Sequence, residues 1–218
     1  MVQIASLPRV AALRASAFFD ELYARLREDI DRHRTRSTEP FILAIDGRSG
    51  SGKTTLRQAL CGQLARDYPG QLALFTLDDI YPGWDGLRAG VNEWIVQAAL
   101  LASGRPAPFA RRDWEHSRAL PEELFTPAPI IVAEGVGALT GAHSAGLWCT
   151  SPADIRRERA LTRDGSTYEP HWQRWADQEE QLLKDFACMY SPLLSAADAL
   201  TERTFHKLAR STTYLIRP

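Results

Sequence analysis

Residues 41–55 read Phe-Ile-Leu-Ala-Ile-Asp-Gly-Arg-Ser-Gly-Ser-Gly-Lys-Thr-Thr, and this stretch decides the fold. From Gly47 to Thr54 it fits the pattern G-x-x-x-x-G-K-[ST] without a mismatch. The glycines allow the backbone to curl so that successive N–H groups point into one concavity. The apolar residues 41–45 predict a buried strand before the loop, and residues 54–65 predict a helix after it. Strand, loop and helix together predict a phosphate-binding loop at a helix N-terminus.

The side chains of this loop suit a bound nucleotide. Lys53 adds a full positive charge where the β- and γ-phosphates would lie, and the Thr54 hydroxyl can ligate Mg²⁺. The loop residues expected to contact the nucleotide are Gly47, Arg48, Ser49, Gly50, Ser51, Gly52, Lys53, Thr54 and Thr55.

The composition is that of an ordinary globular protein, with 218 residues, 44% of them hydrophobic and 24% charged. A formal net charge of −1 gives no overall positive field, so we expect no nucleic-acid partner. The widely spaced Cys61, Cys149 and Cys188 are typical of reduced thiols and predict a cytoplasmic location. Because no signal-peptide pattern and no long apolar run is found, we expect no membrane association. The sequence leaves open whether the protein forms a homo-oligomer.

Alternating apolar and amphipathic segments predict an α/β fold with a parallel sheet. Residues 104–112, which contain two prolines, are expected to be irregular. Further strands are expected at residues 71–77, 129–135 and 146–150, with weaker candidates at 197–200 and 212–216. Further helices are expected at residues 91–103, 152–163 and 169–189.

The amino-terminal segment, residues 10–34, predicts one amphipathic helix. Phe18, Leu22, Leu26 and Ile30 fall at i, i+4, i+8 and i+12, with charged residues on the other face. We interpret this helix as an added packing element, and a membrane-surface or partner helix is the alternative. We therefore divide the chain into a helical extension, residues 1–40, and a nucleotide-binding domain, residues 41–218.

Acidic residues stand at the ends of two predicted strands. Because ligands of parallel sheets bind beyond the carboxyl ends of the strands, we expect the loop, Asp78 and Glu134 to form one site. We assign Asp78 to orient or deprotonate an acceptor hydroxyl, with Asp79 as the competing assignment and a structural cap as the third. The candidate Mg²⁺ ligands are Thr54, Glu134 acting through a water molecule, and Asp78.

Three arginines share a face of the predicted helix at 152–163. Arg156, Arg159 and Arg163 fall at i, i+3 and i+7. This spacing predicts a helical lid, residues 152–175, whose arginines join Lys53 in stabilising charge in a transition state. A solvated basic face is the alternative.

The order of these blocks resembles that of uridine kinase-like P-loop kinases over roughly residues 41–200. After the loop, the matching blocks are Leu-Asp-Asp-Ile-Tyr, Asp-Trp-Glu-His-Ser-Arg, Val-Ala-Glu-Gly and the arginine-rich helix. The resemblance implies a three-layer P-loop fold with a five-stranded parallel sheet. It also implies an enzyme that moves the γ-phosphate of ATP, with Mg²⁺, to a hydroxyl of a small nucleoside-like acceptor.

The resemblance also implies roles for single residues. Asp78 matches the base for the acceptor hydroxyl, Glu134 the acid near Mg²⁺, and Arg156 and Arg159 the lid arginines. Tyr81 matches an aromatic residue of the acceptor pocket, and His116 matches a histidine that contacts the nucleobase. The further candidate acceptor contacts are Asp79, Trp84, Arg112 and Asp113.

The acceptor half departs from the family pattern. Arg112 stands where a tyrosine is usual, and Tyr-Pro-Gly-Trp-Asp-Gly-Leu replaces a His-Pro segment. Since acceptor specificity resides in loops, a kinase of a sugar or vitamin precursor is an alternative. From other classes, a nucleotide-dependent switch or NTPase that acts on a protein partner, and a non-catalytic nucleotide binder, are alternatives as well. The sequence lacks a guanine-reading motif, which counts against a GTPase.

Overall fold

The computed structural model of the chain describes residues 7–198, 205–207 and 213–216, and it forms an α/β fold. Four short 3₁₀ turns connect its larger elements. The helices and strands are α1 Leu7–Arg14, α2 Ala17–Arg34, β1 Phe41–Asp46, α3 Lys53–Asp67, β2 Leu72–Thr76, α4 Leu87–Ala102, β3 Ala107–Asp113, β4 Arg118–Phe125, β5 Ile130–Glu134, β6 Ala145–Cys149, α5 Ala153–Asp164, α6 Trp172–Asp185, α7 Ala187–Asp198, β7 Phe205–Lys207 and β8 Thr213–Ile216.

The central sheet has six strands in the order β2-β5-β1-β6-β8-β7. It differs from the five-stranded parallel sheet that the resemblance implied. A core of four parallel strands, β2, β5, β1 and β6, is extended by β8, which is parallel to β6, and by the antiparallel edge strand β7. All residues of β1, β5 and β6 are buried, as expected for strands that helices cover on both faces.

Two apolar clusters lie on opposite faces of this sheet, so the molecule has three layers. Successive side chains of a strand point to opposite faces, and β1 therefore contributes to both clusters. Ile42 and Ala44 pack with residues of α4 and α6, whereas Phe41, Leu43 and Ile45 pack with residues of α2 and α3.

The predicted helix at residues 10–34 consists of two helices. Ser16 has an extended backbone conformation between them and is the N-cap of α2, where its hydroxyl accepts a hydrogen bond from the Phe19 N–H at 3.3 Å. α2 buries an apolar face against β1 and α3. At its rim the Tyr23 hydroxyl donates to Asp67 at 2.7 Å, which joins α2 to the end of α3. These contacts attach α2 to the sheet and to α3.

Two other sequence expectations are corrected. Residues 104–112 are not irregular, because Ala107–Asp113 forms β3, which pairs with the exposed strand β4 in an antiparallel hairpin. The proposed strand at 197–200 is wrong in its described part, since residues 197 and 198 end α7, and residues 199 and 200 lie outside the described residues. An alanine-rich segment favours a helix. The expected helix at 169–189 is divided into a 3₁₀ turn, α6 and the start of α7.

The parallel register places three strand ends at one edge of the sheet. Glu134, the last residue of β5, pairs with Ile45 of β1 on one side and with Thr76 of β2 on the other. The segments that follow these strands therefore begin side by side. Among the described helices, none is both long and apolar enough to cross a bilayer.

Because α2 packs against β1 and α3, replacing one of its buried leucines should lower the stability of the whole domain. Leu22 is 0% exposed, and we expect Leu22→Ala to lower the free energy of unfolding by about 3 kcal/mol, because it leaves a cavity between α2 and its neighbours. The neighbouring Glu21 is exposed, and Glu21→Ala is expected to change little. Urea unfolding would measure both, and equal stability of the two variants would contradict the packing seen here.

Candidate active site

The phosphate-binding loop connects β1 to α3, which begins at Lys53. Gly50 and Gly52 have φ angles of 77° and 101°, values that side chains with a Cβ rarely adopt. A Cβ on Gly50 would also collide with the backbone carbonyl oxygen of Arg156, so α5 packs directly on the loop. Backbone conformation and packing therefore both require glycine at position 50.

A cavity of about 480 Å³ opens beside this loop. One side of it is polar and the other is largely aromatic. The polar side comprises Ser49, Gly50, Lys53, Thr54, Asp78, Glu134, Arg163, Asp164 and Thr167. The other side comprises Tyr81, Trp84, Trp114, Val136, Tyr168 and Trp175, and we call its five ring-bearing residues the aromatic wall.

The candidate metal ligands lie together at the polar side of the cavity. The Thr54 hydroxyl oxygen is 3.5 Å from Glu134 Oε1, and Arg57 Nε is 3.6 Å from Glu134 Oε2. Burial raises the pKa of Glu134, and Lys53 lowers it. Within the described residues no cluster of three or more His, Cys, Asp or Glu side chains could hold a metal by itself. Two hard oxygen donors beside a phosphate loop nevertheless fit Mg²⁺, which takes its remaining ligands from phosphates and water.

The structure separates the two candidate bases. Asp78 lines the cavity, and its side chain is accessible through the cavity. Surrounding protein atoms desolvate it enough to raise the pKa of its carboxyl, while Lys53 lowers that pKa. Asp79 lies instead in a separate groove between β2 and the hairpin, together with Arg111. The 3₁₀ turn Leu77–Asp79 after β2 is what directs the two carboxylates to different places.

The three predicted lid arginines do not lie together at the cavity. Arg163 lines the cavity, where its guanidinium pairs with Asp164 at 2.6 Å. Arg156 is only 6% exposed and lies behind the loop, donating to the Ser49 carbonyl oxygen at 3.2 Å. Arg159 donates to the Ser151 hydroxyl at 3.1 Å. One helix face contains all three, but successive turns of that face meet different neighbours, so neither Arg156 nor Arg159 lines the cavity.

Of the predicted acceptor contacts, the structure brings Tyr81 and Trp84 to the cavity. Arg112, Asp113 and His116 do not line it. Asp113 and His116 lie at the turn of the β3–β4 hairpin, where His116 Nδ1 is 2.9 Å from the Asp113 carboxylate and the side chain is 63% exposed. Their hydrogen bonds stabilise the turn.

Sequence reasoning missed one polar residue next to the loop and much of the aromatic wall. Glu179, on α6, is 1% exposed and accepts hydrogen bonds from the Ser49 N–H at 2.7 Å and from Arg48 Nε at 3.0 Å. It stands in the polar run Asp-Gln-Glu-Glu, where nothing in the sequence distinguishes it. Trp114 comes from the β3–β4 hairpin, whereas Tyr168 and Trp175 come from the segment just before α6 and from α6 itself. For Trp175 the available signal was the helical spacing of the apolar residues that α6 buries.

The chain is similar to curated uridine kinases, although no family model matches it. It is 29% identical over 140 residues to a uridine kinase of Staphylococcus epidermidis, and the alignment covers 56% of this chain and 68% of that protein. It is 25% identical over 210 residues to a uridine kinase of Shewanella piezotolerans, with 80% of this chain and 99% of the other covered.

A solved structure shares the fold. A protein described as a fructose transport system kinase, from Silicibacter sp. TM1040, superposes with a TM-score of 0.55 at 18% identity, over 74% of this chain and 88% of that one. At this identity the likeness concerns the fold alone. Sequence relatives, fold and phosphate loop agree, and they confirm the resemblance. The chain is therefore similar to uridine kinases, and this likeness supports a P-loop small-molecule kinase.

Proposed function

We propose that this protein transfers the γ-phosphate of ATP to a hydroxyl group of a small nucleoside-like acceptor. The observation that carries the proposal is that the phosphate loop and Asp78 open into one cavity. Phosphoryl transfer needs neutralised phosphate charge and a positioned acceptor, and this cavity contains a candidate group for each requirement.

On the donor side, the backbone N–H groups of the loop and the Lys53 ammonium would hold the β- and γ-phosphates. The Thr54 hydroxyl and the Glu134 carboxylate would hold Mg²⁺, Glu134 through a water molecule, and the ion would neutralise charge on the phosphate oxygens when bound. Arg163 is the arginine placed to approach the transferred group, since it lines the same cavity. Residues 152–175, which include α5, are the proposed lid.

On the acceptor side, Asp78 would orient the hydroxyl and take its proton. The hydroxyl oxygen forms a bond to the γ-phosphorus as the bond from that phosphorus to the bridging oxygen breaks, and ADP leaves with the bridging oxygen. The proton passes to Asp78 and later to solvent. The phosphoryl group would thus pass directly from ATP to the acceptor, without a covalent enzyme intermediate.

The aromatic wall supports an acceptor with a flat or apolar face. The Tyr81 hydroxyl donates a hydrogen bond to the Val136 carbonyl oxygen at 2.7 Å. The Trp114 indole N–H donates a hydrogen bond to the Asp78 carbonyl oxygen at 2.9 Å. Trp114 therefore offers a ring surface rather than a free hydrogen-bonding group, whereas Tyr81 is 0% exposed and packs against Trp175 within the wall. The proteins of similar sequence are named uridine kinases, and a nucleoside has such a face.

The direct test is ATP consumption with and without a panel of nucleosides, sugars and vitamin precursors. Acceptor-dependent release of ADP, with a phosphorylated product identified by mass spectrometry, is the expected result. ATP hydrolysis that ignores every acceptor and responds to a protein partner would favour the switch instead.

Removing the charge at the phosphate loop should stop turnover. We expect Lys53→Ala to lower kcat by roughly 100-fold or more, because the ammonium would stabilise charge on the transferred group. Lys184→Ala is the control, since Lys184 is exposed and pairs with Glu180 on α6. Turnover by Lys53→Ala at the rate of the control would contradict the proposal.

The two adjacent aspartates should differ in their effect. We expect Asp78→Asn to lower the rate of phosphate transfer by roughly 100-fold or more while nucleotide binding is retained, because an amide cannot accept the proton. Asp79→Asn should transfer phosphate normally, since Asp79 lies outside the cavity. Rapid-quench measurement of transfer, with calorimetry for binding, would check both, and the reverse pattern would make Asp79 the base.

Acceptor affinity should depend on the aromatic wall and not on the hairpin turn. We expect Trp114→Leu to raise the KM for the acceptor about fivefold through loss of a ring contact, with the KM for ATP unchanged. His116→Ala should leave both values unchanged, because His116 does not line the cavity. If His116→Ala alone weakened the acceptor, the role implied by the resemblance would stand instead.

A further inference from the structure

We infer that Glu179 is a positioning residue that sets the phosphate loop in its nucleotide-binding shape and, through α6, fixes that loop relative to the aromatic wall. This inference rests on the proposed function, because Glu179 can position the loop for a nucleotide only if the loop binds one. Glu179 itself does not line the cavity.

The carboxylate of Glu179 joins both halves of a small buried network behind the loop. Oε1 accepts the Ser49 N–H at 2.7 Å, and Oε2 accepts Arg48 Nε at 3.0 Å and lies 3.7 Å from Arg156 Nη1. Arg156 in turn donates to the Ser49 carbonyl oxygen. Glu179 thus binds the N–H of Ser49 and Arg156 binds its carbonyl oxygen, and neither of these side chains lines the cavity.

Charge explains why a carboxylate is needed at this position. Arg48 and Arg156 both direct a guanidinium group to Glu179, and Arg156 is buried while Arg48 is partly buried. Burial and the neighbouring Arg48 lower the pKa of Arg156, and Glu179 raises it. A neutral side chain would remove the buried counter-charge that these two cations share.

A loop built on glycines needs such support. Gly50 and Gly52 allow many backbone conformations, so the loop's shape has to come from its contacts. Arg48 is anchored a second time, because Nη2 donates to the Ala176 carbonyl oxygen at 3.1 Å, and the Lys53 ammonium lies 3.3 Å from the Arg48 carbonyl oxygen. The arrangement around Arg48 therefore reaches the lysine that faces the phosphates.

The same helix contacts the acceptor side. Trp175, one turn before Glu179, belongs to the aromatic wall. The Gln178 side chain donates to the Trp84 carbonyl oxygen at 2.7 Å and accepts the Leu87 N–H at 3.3 Å, which holds the segment that carries Trp84. Three nearby residues of α6 therefore touch the donor loop, the acceptor segment and the cavity.

The test is calorimetric titration of MgADP, without acceptor, into wild type, Glu179→Gln and Glu180→Gln. Glutamine keeps the shape but has one acceptor oxygen for two donors and no charge, so Glu179→Gln should weaken MgADP binding about tenfold or more. Glu180 is the next residue, is exposed and pairs with Lys184, so Glu180→Gln should bind like wild type. Once an acceptor that the wild type phosphorylates has been found, Glu179→Gln should raise the KM for ATP by a larger factor than it lowers kcat.

The outcomes are separable. MgADP affinity of Glu179→Gln within twofold of that of Glu180→Gln overturns the inference and leaves the proposed function intact. Wild type that binds MgADP but phosphorylates no hydroxyl compound overturns the proposed function instead. If Glu179→Gln does not fold, Glu179→Asp decides: it keeps the charge, moves the carboxylate back by one methylene and should weaken MgADP by a smaller factor, whereas wild-type affinity would overturn the inference.

Discussion

The buried carboxylate of Asp46 joins the parts of the molecule that must meet at the active site. It is the last residue of β1, is 0% exposed and accepts four hydrogen bonds. The donors are the N–H groups of Gly47 at 2.6 Å, Gly137 at 2.8 Å and Leu139 at 3.0 Å, and the hydroxyl of Tyr190 at 2.7 Å. Burial raises the pKa of Asp46, and these hydrogen bonds oppose that shift. An unpaired carboxylate here would be strongly destabilising, so the start of the phosphate loop, the segment after β5 and α7 have to converge on it.

Two carboxylates therefore support the phosphate loop from different sides. Asp46 holds its first N–H from within the sheet, and Glu179 holds the Ser49 N–H from α6. Both act behind the surface that faces the cavity, which leaves the N–H groups at the start of α3 directed toward a ligand. Support from both sides suits this loop, because its glycines leave the backbone flexible and contacts with the rest of the protein must hold its conformation.

The parts of the site that could be predicted are those that depend on neighbours in sequence. The loop needs glycines and a lysine at fixed spacing, and strand-end residues such as Asp78 and Glu134 follow from the rule for parallel sheets. The β3–β4 hairpin was missed because both strands contain a proline and lack apolar alternation. The role of Arg156 was missed for another reason. Helical spacing shows which residues share a face, but only tertiary packing shows that this face meets the back of the loop.

The difference between features set by neighbours in sequence and features set by tertiary packing also separates the two halves of the site. The donor half resembles uridine kinases, whereas the acceptor half departs from them. The donor half is one continuous segment with Glu134 added, and its glycines have φ angles that other residues rarely adopt. The aromatic wall is assembled from the segment after β2, the hairpin, the proposed lid and α6, so single substitutions there alter the cavity without touching the loop. Under the proposed function, α6 would keep the acceptor side fixed relative to the phosphate loop while residues of the wall change, because it contacts both halves. Acceptor choice could then change without a change in the geometry of transfer.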